Sequence, residues 1–72
     1  MEYYFSIRLT YQEFLPFYEG RVKSIVVTTY SGIKVEFPAQ HIRQYLTSAG
    51  ITGEFCLKTQ NNKFFSIEKI SI

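Results

Sequence analysis

The chain has no tryptophan and no aspartate, and only one cysteine, one histidine and one methionine in 72 residues. A lone cysteine forbids an internal disulfide, whereas a small secreted domain is ordinarily stapled by several. The expectation is a cytoplasmic protein. Cys56 and His41 stand at unrelated positions and cannot make a zinc site unaided. A Cys–His couple would also lack an aspartate to orient the imidazole. Glu13 and Glu19 are better explained by helix capping and solvation than by acid–base work. The four glycines stand apart, and GITG at 50–53 matches neither a nucleotide-triphosphate loop nor a dinucleotide fingerprint. No catalytic residue, metal ligand or cofactor is therefore assigned, and the chain reads as a non-enzyme. Long hydrophobic runs are missing too. IVV at 25–27 is typical, far short of a membrane span. The opening MEYYFSIRL is acidic at its start and interrupted by Ser6 and Arg8, unlike a secretory signal.

What the chain does have is aromatic carbon. Seven Phe and six Tyr make 18% of it, and 46% is hydrophobic, too apolar for a disordered tail. No linker or shift in composition divides it, so residues 1–72 read as one domain. A chain this short buries about 60% of its unfolded surface, which leaves a thin stability margin.

Apolar alternation over YYFSIRL, 3–9, predicts a half-buried strand. TYQE, 10–13, fits a capping box, with Leu9 and Phe14 placed for a hydrophobic staple. A helix over about 11–19 should end at Gly20 and be short or kinked, because Pro16 falls in its interior. RVKSIVVTTY and IKVEF read as a hairpin around Ser31-Gly32. A two-residue loop pairs Tyr30 with Ile33, Thr28 with Val35 and Val26 with Phe37, and sets those six side chains on one face. After Pro38, the spacing of Ile42, Tyr45, Leu46 and Ala49 predicts an amphipathic helix closed by Gly50, with His41 solvated. ITGEFCLKT and the segment from about 63 to 71 read as two strands joined at Asn61-Asn62. A bulged, odd loop there would set Phe65 beside Leu57 and Ile67 beside Phe55, with the apolar phase then shifting to Ile70 and Ile72. The order is β-α-β-β-α-β-β. The expected fold is α+β, a mainly antiparallel five-stranded sheet, flat or curled into a partial barrel, with two short helices.

Two binding classes follow. The net charge is +2, and the eight basic residues are scattered rather than massed. Antiparallel strands carrying aromatics beside cations can stack bases and hold phosphates. The nucleic-acid candidates are Arg21, Lys23 and Lys34 on the first hairpin and Arg43 on the second helix. Alternatively, helices covering one face of the sheet would leave Tyr4, Ile25, Val27 and Cys56 on the other. That apolar face would meet a protein partner or a second copy of the chain, with Tyr4, Ile25 and Val27 as its interface.

One wider pattern is present. FYEGRVKSIVVTTYSGIKVEFPA, followed by Ile42-Arg43, GITGEF and NNKF, resembles a family of small bacterial proteins of unknown function, over nearly the whole chain. Pro16 within the first helix is the point of departure. The resemblance implies a single bacterial cytosolic domain. Members sometimes carry the label of a topoisomerase I subunit, although no tyrosine here has the acidic metal cluster that strand cleavage would need.

Overall fold

Thr10 starts the first helix by a reciprocal pair of hydrogen bonds. Its hydroxyl accepts from the Glu13 backbone N–H at 3.1 Å, and its own N–H donates to Glu13 Oε1 at 2.8 Å. The computed structural model describes residues 1–70. Strand β1 (Glu2–Leu9) leads into helix α1 (Tyr11–Tyr18), which is short as expected and carries Pro16 inside it. Strands β2 (Ser24–Thr28) and β3 (Lys34–Pro38) follow, then a 3-10 helix (Ala39–Tyr45), then β4 (Ile51–Gln60) and β5 (Lys63–Lys69). All strand pairs are antiparallel.

The five strands do not form one sheet. They form a three-stranded sheet in the order β1-β4-β5 and a separate β2-β3 hairpin, and neither is closed. The hairpin meets β1 where the Tyr30 N–H donates to the Tyr4 carbonyl at 2.9 Å. It otherwise packs face to face across the core, with the rings of Phe5 and Phe37 5.8 Å apart. This packing takes Phe37, Ile25 and Val27 into the core.

The hairpin register departs from expectation by one residue. Val27 pairs with Val35 and Ile25 with Phe37, whereas a two-residue loop would have paired Val26 with Phe37. The loop has three residues instead. The Thr29 N–H donates to Ile33 O at 2.8 Å, and Gly32 adopts a left-handed φ of 86°. A turn followed by a left-handed residue is the usual three-residue hairpin connection. One residue of slip exchanges the two faces of β2 against β3, which keeps Val35 and Phe37 toward the core. Ile25 and Val27 therefore lie in the core at 8% exposure, and Val26 stands outside at 56%. The buried Thr29 hydroxyl is satisfied within the loop by the Ile33 N–H and the Ser31 hydroxyl.

After Pro38 the chain turns with a period of three rather than 3.6. Ala39 and Ile42 are buried and Tyr45 is half-buried, each three residues on from the last. Ala49, expected on the buried stripe, is exposed. Two features stop an α-helix here. Pro38 gives no side-chain cap, and the Thr47 hydroxyl competes for backbone by donating to Gly50 O and accepting from the Ala49 N–H. Gly50, read from sequence as a helix terminator, has a different duty. A Cβ there would lie 2.0 Å from the Leu9 carbonyl oxygen, so only glycine lets this turn pass the end of β1.

Asn61 and Asn62 take left-handed φ values of 55° and 63°, the conformation of a two-residue hairpin turn. The bulge sits inside the strand pair, between Lys58 and Thr59, and not in the loop. Leu57 consequently pairs with Ile67 and Thr59 with Phe64, while Phe65 is 63% exposed. Ile70 is half exposed, and the expected apolar position Ile72 lies outside the described residues. Phe5, Phe14, Ile42, Ile51 and Phe55 form the fully buried centre.

The outer face of the three-stranded sheet is polar, not apolar. It presents Glu2, Tyr4, Ser6 and Arg8 from β1 beside Lys58, Cys56, Glu54 and Thr52 of β4. Cys56 is buried there, and Tyr4 hydrogen-bonds Glu2 at 2.8 Å. With Ile25 and Val27 in the core, the expected apolar interface of Tyr4, Ile25 and Val27 does not exist as a surface.

Candidate cleft between the first helix and the 3-10 helix

The C-terminal end of α1 is shaped by its proline. Pro16 keeps its carbonyl, and the N–H groups of Arg21 and Val22 both donate to it, at 3.0 and 3.1 Å. Gly20 makes the reversal with a φ of 82°. The chain then crosses to the start of β2, where the Lys23 carbonyl accepts from the Ala39 N–H at 2.9 Å. These bonds hold the end of α1 and the first turn of the 3-10 helix as two walls of an open cleft of about 500 Å³.

Phe17, Val22 and Pro38 supply apolar surface to it, and Tyr18, Glu19, Lys23, Gln40 and Arg43 supply the polar groups. The Arg43 guanidinium carbon lies 4.5 Å from the centre of the Tyr18 ring. A cation over an aromatic face is attracted by the ring quadrupole, which restrains a side chain that is otherwise free to wander. Glu19 is engaged by Arg21 at 2.7 Å, an exposed pair of small energetic value that still offsets its charge. Lys23 and Arg43 have no carboxylate partner among the described residues. The cleft is accordingly electropositive.

The four cations singled out from sequence are thus divided. Lys23 and Arg43 share the cleft, and Arg21 stands at its rim bound to Glu19. Lys34 does not join them. It lies at the far end of β3, four residues from Pro38, or about 13 Å at the usual strand rise. Tyr18 and Gln40 were missed by sequence reasoning. Their part depends on a contact between segments 25 residues apart, for which periodicity carries no signal.

Elsewhere, His41 is not solvated as expected. It is half-buried and stacks on Phe64, with ring centres 3.8 Å apart and planes at 10°. Cys56 pairs across strands with Tyr4 and Glu68, so the two residues sit in separate surroundings. The Tyr4 phenol is pushed up to about 12, first by donating to Glu2 and then by Cys56. Tyr30 is also raised, by burial first and then by its hydrogen bond to Glu54 at 2.9 Å. Among the described residues no group of three or more His, Cys, Asp or Glu could hold a metal ion, and no helix is long and apolar enough to cross a membrane. A shallower hollow of about 220 Å³ lies over Ser6, Thr52 and Gly53.

Residues 1–70 match a family described as "Protein of unknown function (DUF2835)". No curated protein and no solved structure matches the chain.

Proposed function

The chain belongs to this DUF2835 family, and from that premise we propose that it is a small cytosolic, non-enzymatic binding module that holds a phosphate-bearing ligand, nucleic acid above all, in the cleft beside α1. The observation that supports this is that Lys23 and Arg43 line one concave site, Arg43 over the Tyr18 ring, with the neighbouring acid Glu19 already bound to Arg21. Phosphate recognition needs uncompensated cations beside a preorganised donor, and a guanidinium braced on a ring offers a planar fork of N–H groups. The bacterial cytosolic origin that the resemblance implies agrees with this role and adds no residue to it.

A partner protein docking on an apolar sheet face has less support, because that face is polar and Ile25 and Val27 are buried. Light scattering at low and high salt is expected to return a monomer at both.

The direct test is fluorescence anisotropy with a labelled, 5′-phosphorylated single-stranded oligonucleotide. A charge-assisted hydrogen bond is worth about 1.5–3 kcal/mol, so Lys23→Ala and Arg43→Ala should each weaken binding about tenfold or more. Lys34→Ala, outside the cleft, should change it less than about twofold. Equal losses at Lys23, Lys34 and Arg43 would mean a diffuse basic surface and remove the cleft from the account.

A further inference from the structure

We propose that the ligand unit of this cleft is one nucleoside phosphate, a base with a single phosphate, and not a run of nucleic-acid backbone; this deepens the phosphate-binding role above and rests on it.

Three observations converge. The cleft's volume of about 500 Å³ lies within the ~300–1,000 Å³ of small-molecule sites. Its chemistry is graded in the way a nucleotide is. Phe17, Val22 and Pro38 offer apolar contact, and Gln40 has an amide that can both donate to and accept from a base edge. Arg43 lies with one side toward the Tyr18 ring. A guanidinium held over a ring keeps N–H donors that the ring does not use, so its side away from Tyr18 can meet a base while it and Lys23 reach a phosphate.

The third observation is where the positive potential stops. On one wall Glu19 and Arg21 cancel. On the hairpin side the exposed neighbour of Pro38 is Glu36, whose carboxylate accepts from the Ser24 hydroxyl at 2.5 Å. The next cation along β3 is Lys34, about 13 Å from Pro38 at the usual strand rise. A second backbone phosphate leaving the cleft this way would meet an acid. The site therefore has room and charge for one phosphate, whether on a free nucleotide or at the phosphorylated end of a single strand.

The test uses the full chain with four kinds of probe: inorganic phosphate, nucleoside 5′-monophosphates, and 5′-phosphorylated or 5′-hydroxyl oligothymidylates of about four and about twelve nucleotides. The expected result is affinity that is unchanged within about twofold on lengthening the strand. Two contacts give a log–log salt slope of about −1.4, a loss of about sevenfold between 50 and 200 mM salt. Binding of the monophosphate identifies a free nucleotide as a ligand, and binding of the 5′-phosphorylated strand alone identifies a strand end. Arg43→Lys keeps the charge and loses the plane. It should weaken monophosphate binding about tenfold or more and inorganic phosphate less, because the monophosphate loses the base contact as well as the fork. Circular dichroism checks that this exposed substitution leaves the fold intact.

Affinity that climbs with strand length, with a slope near −2.8 or steeper, overturns the single-unit footprint and leaves phosphate binding standing. Inorganic phosphate binding as tightly as the monophosphate removes the base from the account, with the same consequence. Failure of every phosphate-bearing probe sinks both proposals.

Discussion

Val26 and Val27 are adjacent and chemically identical, and the hairpin register alone decides which of them is core. Replacing each in turn by threonine tests that register with little change in shape or strand propensity. Val27 is 8% exposed, so Val27→Thr exchanges a buried methyl for a hydroxyl with no partner prepared for it. Burying an unsatisfied hydroxyl costs about 1–3 kcal/mol by the measure of protein mutants, so a loss of about 2 kcal/mol is expected. A domain of this size rarely has more than about 3–5 kcal/mol in all, and about half of its stability would go. At about 4–8 °C of melting temperature per kcal/mol, thermal denaturation followed by circular dichroism should show a fall of about 8–16 °C. Val26→Thr acts on a side chain that is 56% exposed and should stay within about 0.5 kcal/mol, or about 4 °C. If Val26→Thr proves the costlier change, the register is wrong, the two faces exchange, and Ile25 and Val27 return to the surface as an interface.

Further outcomes are expected from the glycines, the cap and one phenol. Gly50→Ala should abolish cooperative melting at ordinary temperatures, because the new methyl would overlap the Leu9 and Thr10 backbone at 2.0–2.8 Å. Gly20→Ala, with a positive φ but open space around it, should cost only about 1–2 kcal/mol in denaturant titration. Thr10→Ala removes half of the capping box and should cost about 1 kcal/mol by the same titration. Tyrosinate absorbance under alkali should show one phenol ionising near 12, a step that Tyr4→Phe removes. Because the folded Tyr4 holds its proton above the unfolded value of about 10, its contribution is complete below that pH and is lost as pH rises toward 12. A denaturation midpoint that does not fall across this window would contradict the Glu2–Tyr4 contact.

Which parts of the molecule were legible in the chain follows from how far apart the interacting residues lie. The capping box at Thr10 and Glu13 spans one turn, and both of its hydrogen bonds form. Asn61-Asn62 marks its own turn, since two consecutive left-handed residues are tolerable to asparagine. The strand–helix–hairpin order is likewise written in local periodicity, as are Lys23 and Arg43 as candidate cations. The hairpin faces were not. Ser31-Gly32 suits a two-residue loop and a three-residue loop alike, and the choice falls to whichever register buries Ile25, Val27 and Phe37 together. The 3-10 helix was misread for a similar reason. Ile42, Tyr45, Leu46 and Ala49 satisfy a helical period, but the need to bring Gly50 against the end of β1 outweighs it.

By itself, then, the sequence determined the order of strands and helical segments, the turn at its asparagines and the absence of an internal disulfide. Tertiary structure alone decided that the strands divide into two sheets, that Ile25 and Val27 face inward, and that Arg43 comes to rest on Tyr18. The physical reason is one of range. Capping and turn chemistry act over about three or four residues and are encoded where they act. Burial is a property of the whole surface removed from water, and one residue of register, invisible to any local pattern, is enough to turn an outer face into a core.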